Sequence, residues 1–495
     1  MFERVFESIK KDKNLIFIPF LTFFVRAIIF YFIPNTYEDA FITFKYSENL
    51  ANGFGLVYNI GEKVYGTTTP FFAIILAFFK YFGISCIISS LVINLISESI
   101  TSLFVYKYLK NYTNELISFF ITLLFVFSPS NISWSIQGME TAFFGMLIAA
   151  SFFSLYKKKL FLAFLFAFLS AITRIDGLSV VFIIFLFSFI ENKFSIFKFF
   201  TVPFLIFIAW LIFLQIYFGN FLPNSMLAKL ILYSGHSKSM LPNLSVVLSK
   251  YFLSGYYSSA LITVLFITGI YFTLKKRIKL LPMIAWFFIY YSALIISKTQ
   301  IHGWYLIPPL FVFLIVSGIG IFSIYNILLK NFSRYQKLLN AFVVVFVILS
   351  SAFALKLKIE QMNFELSYEE TVRIPIGKYL NKYTPISSTV FLEPIGVIGY
   401  YSNRYIYDDS ALISPIFLEI NRLTYNASSV YKKIELVKPD YLVLRNRDLE
   451  DFYTSTNLLK EYEKIKSFKD TVWFKENSPL SMTIFERIIK NNQAN

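Results

Sequence analysis

The sequence predicts a polytopic α-helical membrane protein that ends in a small α/β domain outside the membrane. Three observations carry that expectation. Of the 495 residues, 56% are hydrophobic and only 15% charged, whereas a soluble protein covers its surface with roughly 25% charged residues. The apolar residues also fall in runs of about 20, the length a helix needs to cross roughly 30 Å of hydrocarbon. Asn14–Ile33, Phe199–Phe218, Trp304–Tyr325 and Leu338–Leu355 are such runs. Near residue 357 the composition changes: from Lys358 to Asn495 charges become frequent and long apolar runs stop.

Orientation follows from the basic residues, which mark the cytoplasmic side. They cluster at Arg4/Lys10/Lys11/Lys13, Lys107/Lys110, Lys157/Lys158/Lys159, Lys193/Lys198, Lys275/Lys276/Arg277/Lys279 and Lys330/Arg334/Lys337. The segments between them, 34–85, 130–138, 173–176, 219–257 and 297–302, carry fewer and are placed outside. The net charge of +16 then reflects membrane orientation rather than a nucleic-acid partner. Pro70–Phe82 is apolar enough to span, yet counting it would put every later basic cluster on the wrong side. It is also short, about 13 residues, nearer an interfacial segment than a span. Thr69 caps it, Pro70 is its first helical residue and Gly83 ends it. Laid along the outer interface, it leaves about eleven spans, amino terminus inside and carboxyl end outside.

One cysteine, Cys86, excludes an intramolecular disulfide framework. His236 and His302 are too few and too scattered for a zinc site, and no metal or cofactor is expected. Asn14–Ile33 is too long for a cleavable signal peptide and lacks a small-residue cleavage site. Residues 1–357 are therefore read as a transmembrane domain and 358–495 as an extracytoplasmic α/β domain. Within the latter, Thr389–Leu392 and Tyr441–Leu444 are strand-like and alternate with helix-compatible segments.

Ionisable groups beside a membrane are costly and worth weighing. The first external loop opens Asn35-Thr36-Tyr37-Glu38-Asp39-Ala40-Phe41, with two adjacent carboxylates ahead of a helical stretch. Tyr37, Phe41 and Phe44 share one face and Asn52-Gly53 closes it, the pattern of an amphipathic helix lying on the interface. The acids either cap that helix or do chemistry. Gln137 and Glu140 stand in Trp134–Thr141, and Arg174 and Asp176 in the tight turn Thr173–Gly177. Arg174 and Asp176 either neutralise each other, or the guanidinium holds a lipid-linked phosphate while a carboxylate accepts a hydroxyl proton. Tyr217–Ser225 precedes Lys229, and His302-Gly303-Trp304-Tyr305 opens a later run. Trp304 and Tyr305 read as interfacial anchors, and His302 as a loop or site residue.

These segments, in this order, resemble the GT-C superfamily of membrane glycosyltransferases, nearest the branch of mycobacterial terminal arabinofuranosyltransferases and related bacterial proteins. Glu38–Tyr46 looks like the family's Asp-Asp-Ala-(Tyr/Phe)-Ile-(Ser/Thr)-Phe-Arg-Tyr block, and Gly53–Glu62 is similar to its Gly-x-Gly-Leu-Val-x-Asn-x-Gly-Glu run. Gly138–Thr141 resembles Gly-Leu-Glu-Thr, Thr173–Gly177 resembles Thr-Arg-Pro-Asp-Gly, and Tyr217–Asn224 resembles Tyr-(Tyr/Phe)-Gly-x-x-x-Pro-Asn. Ile395–Tyr401 and Asp408-Asp409 fit the pattern as well. The matches run from about residue 36 to 410. The resemblance implies two juxtamembrane helices in the first external loop, in agreement with the lysine count. It also implies inverting transfer of a sugar from a polyprenyl phosphate to a glycan, lipid or protein hydroxyl at the outer face, with a first-loop acid as base. Glu38 stands where the family has the first aspartate, so the base falls to Asp39, while Glu38, beside it in the catalytic site, and Glu140 would hold sugar or acceptor hydroxyls. Arg174, Asp176, Glu140, Gln137, His302 and Lys229 would serve donor phosphate and sugar. Ile175 replaces a proline, and Tyr65-Gly66-Thr67-Thr68-Thr69-Pro70 departs from the family's loop, so Tyr65, Thr67 and Thr68 are expected to shape an acceptor or sugar pocket of unassigned sugar. A flippase or transporter of lipid-linked glycans is the rival, and would show midplane charges and broken helices in paired halves, neither visible in the sequence. An envelope scaffold, with the acids as caps, is a third reading.

The topology is open to a direct test. Cysteine at Asn59 or Asn224, with Cys86 removed, should react with an impermeant thiol reagent on intact cells, and cysteine at Lys158 or Lys276 should not. Labelling at Lys158 with none at Asn224 would invert the orientation.

Overall fold

The computed structural model describes residues 12–234, 258–276, 279–297, 301–331, 333–423, 427–445, 449, 460–470, 472 and 481–488. Arg4, Lys10, Lys11, His236 and Arg277 lie outside the described residues. The chain divides into two compact units. The first comprises Met1–Pro34, Ser90–Leu211 and Ser239–Gln361, the second Asn35–Ser89, Ile212–Lys238 and Met362–Asn495. Residue 358, where composition changes, falls inside the helix Gln336–Tyr368.

The first unit is helical. Among the described residues, Asn14–Phe32, Cys86–Tyr112, Ile175–Phe218 and Leu310–Lys330 are long and apolar enough to cross a membrane. Glu115–Val126 and Pro129–Ile136, bent by 50°, make a fifth if they are one span. The Ile175–Phe218 stretch is itself divided at a 3-10 turn, Lys193–Ile196, into Leu178–Asn192 and Phe197–Phe218. Further apolar helices such as Thr141–Tyr156, Leu160–Thr173 and Leu281–Ile296 are shorter than a full span. The chain is a multi-pass membrane protein, and any count near eleven depends on these short helices. One expected span begins late: Gly303–Leu306 is a 3-10 turn and the helix starts at Leu310 rather than Trp304. Pro308 and Pro309 intervene, and proline has no N–H for the helical ladder.

The first span shows membrane physics in its two faces. Phe17, Phe20, Phe24 and Ile28 are exposed, while the buried face carries Ile18, Thr22 and Arg26. Apolar side chains face outward because hydrocarbon is the solvent there, and the polar groups turn inward to find partners.

The second unit is built on a five-stranded sheet of order β2-β1-β3-β5-β4, with β1 Thr389–Leu392, β2 Tyr405–Asp408, β3 Tyr441–Arg445, β4 Tyr462–Lys469 and β5 Ser481–Arg487. β1 runs parallel to β2 and β3; β5 runs antiparallel to β3 and β4. Asn59 of the first loop extends the sheet edge, since its Oδ1 accepts the Ile406 N–H and its Nδ2 donates to the Ile406 carbonyl, both at 3.0 Å. Asn224 donates to the Ala411 and Leu412 carbonyls at 2.7 and 2.9 Å. Both side chains hold structure, so the external cysteine reporter belongs at Ile60, which is 55% exposed.

The first loop supplies two helices, Ala40–Ala51 and Pro70–Tyr81. The second starts at Pro70 after Thr69, as its sequence signals predict. The first differs from expectation: it does not present one polar face, because every residue from Ala40 to Ser47 is buried. It packs between Pro70–Tyr81 and a short helix of the C-terminal region, Gly396–Ser402. The polar positions are absorbed by that contact. Lys45 Nζ donates to the Gly399 carbonyl at 2.6 Å and lies 5.3 Å from the centre of the Tyr58 ring. Burial pushes the Lys45 ammonium down to about 7. Tyr58 Oη donates to the Ile395 carbonyl at 2.6 Å. A side chain at Gly396 would place its Cβ 2.0 Å from the Glu38 carbonyl oxygen.

Replacing Gly396 by alanine should therefore force two backbones apart and cost about 1–3 kcal/mol. The measurement is thermal unfolding of the purified full chain in detergent. An unchanged midpoint would refute the close approach.

Candidate active site

The sequence-derived residues fall into two clusters, one in each unit. In the second unit Glu38 and Asp39 precede the helix Ala40–Ala51. Glu38 is 8% exposed and its Oε1 accepts the Gly396 N–H. Burial pushes its carboxyl well above the usual range; the adjacent Asp39 charge adds to this, and the Arg373 guanidinium opposes it. Asp39 is half-buried. It occupies the N-cap position with helical backbone angles, φ −62° and ψ −24°, and its side chain makes no capping hydrogen bond. The N–H groups of Ala40, Phe41 and Ile42 are satisfied instead by the carbonyls of Tyr37, Glu38 and Asp39. The Asp39 side chain makes no capping hydrogen bond, so at this helix N-terminus it contributes its charge alone.

Arg373 was not anticipated. It lies in a π-helical turn, Glu369–Arg373, ahead of Pro375, and pairs with Glu369. π-helical turns recur at functional sites, but a lone arginine in a polar segment gave no signal in one sequence.

In the first unit Arg174, Asp176 and Glu140 converge. Arg174 is 6% exposed. Its Nε and Nη2 donate to the two Asp176 oxygens at 3.0 and 2.9 Å, and its Nη1 donates to Glu140 Oε1 at 3.0 Å. The guanidinium lies 5.0 Å from the Phe144 ring centre and 4.8 Å from that of Tyr305. Tyr290 Oη is 3.2 Å from Asp176 Oδ2 and 3.0 Å from the Tyr305 carbonyl. The 3-10 turn Ile175–Gly177 holds Arg174 and Asp176 side by side. One cation thus faces two carboxylates and two aromatic rings, and three of the five guanidinium N–H bonds go to carboxylate. Gln137, buried at the end of Pro129–Ile136, precedes the turn that carries Glu140.

The remaining candidates are placed as follows. His302 stacks on Trp304 with centroids 4.3 Å apart, and Trp304 meets Trp134 edge to face. Trp304 is only 4% exposed and Tyr305 covers Arg174, so neither is an interfacial anchor: aromatic packing and a buried cation claim them. Tyr65 stacks on Phe218 at 4.7 Å. Thr67 is buried within 3.4 Å of Thr43 Oγ1, Thr68 is exposed, and Lys229 is half-buried in Asn224–Ser234. Asp408 accepts the N–H groups of Ser410, Leu412 and Ile413 at 3.0, 2.5 and 3.2 Å, and Asp409 pairs with buried Lys433 at 2.6 Å. The Asp408-Asp409 pair builds a turn.

Two features run against expectation. Arg26 and Glu98, both buried, form an ion pair at 3.0 Å inside apolar helices, and Glu115–Val126 with Pro129–Ile136 is a broken helix. Arg26 was legible as one arginine in an apolar run; its partner was not, because sequence spacing does not say which helices touch.

Residues 360–485 match a domain of unknown function, DUF8728. No curated protein matches the chain. Among solved structures the chain resembles ArnT from Cupriavidus metallidurans in the apo state, at 11% identity and TM-score 0.61, over 94% of this chain and 97% of that one. It also resembles ArnT from the same organism bound to undecaprenyl phosphate, at 11% identity and TM-score 0.57, over 97% and 98%. At this identity the likeness establishes the fold and does not single out the arabinofuranosyltransferase branch: the chain has the GT-C membrane fold with a small C-terminal sheet domain.

Proposed function

We propose that the protein is a glycosyltransferase that moves a sugar from a polyprenyl-phosphate donor to a hydroxyl of an envelope glycan, lipid or protein at the outer face of the membrane. The observation that carries this reading is the state of Asp39. It is half-buried, sits at the head of a helix whose N–H groups are already satisfied, and adjoins a buried carboxyl that favours its neutral form. Its carboxylate makes no cap bond and is hydrogen-bonded to the side chain of Glu38, an arrangement that suits a base whose direction is set by its neighbour. The GT-C fold over nearly the whole chain, and an ArnT structure bound to undecaprenyl phosphate, support a lipid-linked donor. The arabinofuranosyltransferase branch rests on the sequence motifs alone, and the transferred sugar, hexose or pentose, is left unassigned.

In this mechanism Asp39 takes the proton of the acceptor hydroxyl as its oxygen attacks the anomeric carbon. The bond from that carbon to phosphate oxygen breaks on the opposite side, with inversion, and the polyprenyl phosphate leaves with the electron pair. Glu38, held by Gly396, fixes the direction of the neighbouring carboxylate. Arg174 keeps two N–H bonds beyond those spent on Asp176 and Glu140. Its contribution to the donor phosphate is directional hydrogen bonding more than net attraction, because two carboxylates already face it. Gln137, His302 and Lys229 are assigned to donor sugar and phosphate, and Tyr65, Thr67 and Thr68 to the acceptor side. The tail 358–495 is assigned to acceptor choice.

The rival reading, a flippase or transporter, gains from the buried Arg26–Glu98 pair and the broken helix. Most of that pair's bonds are internal, however: Arg26 spends four of its five N–H bonds on Ser135, the Thr22 and Val126 carbonyls and Glu98, and Glu98 Oε2 also accepts from Asn131.

The deciding experiment incubates purified full chain with polyprenyl-phosphate sugars and envelope acceptors and follows transfer. Lipid translocation across proteoliposomes without transfer would favour the rival. In the transfer assay Arg174→Ala should raise donor KM and lower kcat, with kcat/KM down about 10²-fold, since phosphate contacts are lost in ground and transition states alike. A fall in kcat with donor KM untouched would remove Arg174 from the donor site.

A further inference from the structure

We infer that Arg26 and Glu98 are positioning residues: they hold both sides of the break between Glu115–Val126 and Pro129–Ile136, and so place the Gln137–Glu140 turn against Arg174. The consequence for rate rests on the glycosyl-transfer reading; the structural consequence does not.

The geometry is explicit. Pro129 brings no N–H to continue the ladder of the preceding helix, and the carbonyls at that helix end need donors. Arg26, fully buried, supplies one: its Nη1 donates to the Val126 carbonyl at 3.1 Å. Its Nε reaches past the bend to Ser135 Oγ at 3.1 Å. Glu98 Oε2 accepts from Arg26 Nη2 at 3.0 Å and from Asn131 Nδ2 at 2.6 Å. The ion pair thus touches the last residue before the break and two residues after it.

The same helix face then reaches the turn. Asn94, four residues before Glu98 and therefore on its face, donates to the Met139 carbonyl at 2.7 Å. The next residue is Glu140, which takes Arg174 Nη1. Four residues beyond Glu98, Ser102 meets Thr22 at 2.9 Å, extending the polar seam away from the break. Thr22–Ser102 is a contact of similar kind that touches neither the bend nor the turn.

A buried ion pair can often be exchanged for apolar residues without loss of stability, which separates positioning from mere folding. The test uses full chain with Met139→Cys as reporter and Cys86→Ser to silence the native thiol. The double substitution Arg26→Met/Glu98→Met should leave the protein inserted and monodisperse. It should speed maleimide labelling at position 139 about 10-fold, as expected for a loosened local element. It should also lower kcat for sugar transfer by about 10–100-fold, the cost of a small misplacement near a reacting centre. Thr22→Val/Ser102→Ala should change neither. If the double variant fails to insert, Glu98→Gln, which keeps the shape and removes the charge facing Arg26, is read in the same assay. A folded variant with wild-type labelling at position 139 overturns the inference. If the unsubstituted protein transfers no sugar, the proposed function falls, and labelling still decides this one.

Discussion

The second unit depends on one close approach, at Gly396, where the absence of a side chain lets a helix of the C-terminal region rest on the backbone of Glu38. From that contact the rest follows. The Gly396 N–H binds the Glu38 carboxylate, Tyr58 and Lys45 take the Ile395 and Gly399 carbonyls, and the helix Ala40–Ala51 is buried on nearly all sides. The first-loop acids divide their roles as a result. Glu38 is engaged by the fold, while Asp39, one residue on, makes no cap bond.

The first unit solves a different problem, that of holding buried charge. Arg174 is surrounded by Asp176, Glu140, Phe144 and Tyr305, and Arg26 by Glu98, Ser135 and two carbonyls. Buried guanidinium groups need this degree of satisfaction to be tolerated. The price is specificity of geometry, since each cation fixes several helices at once.

Much of the membrane architecture was legible because hydrocarbon imposes a simple rule on composition, and the strand-like stretches Thr389–Leu392 and Tyr441–Leu444 reappear as β1 and most of β3. The start of Pro70–Tyr81 was legible from Thr69 and Pro70 alone. Tertiary contact was not. The helix Ala40–Ala51 reads as amphipathic because Tyr37, Phe41 and Phe44 share one face, yet its polar Lys45 and Asn49 are buried too, and their partners lie in Gly399, Val57 and Tyr58. Trp304 and Tyr305 carry the signature of interfacial anchors and are instead packed on Trp134 and Arg174. At the site, Arg174, Asp176 and Glu140 were singled out in the sequence and do meet; Arg373 was missed because nothing local distinguishes it, and the Arg26–Glu98 pair because a lone arginine in an apolar run does not name its partner.

The central claim is that Asp39 is the base of a glycosyl transfer, and a single substitution tests it most directly. Asparagine matches aspartate in size and caps helices about as well, but cannot accept the proton. The rate of sugar transfer from a polyprenyl-phosphate donor should fall by about 10²–10⁴-fold in Asp39→Asn, with the protein inserted and donor binding retained. A near-normal rate would contradict the account and leave Asp39 as a residue of the fold.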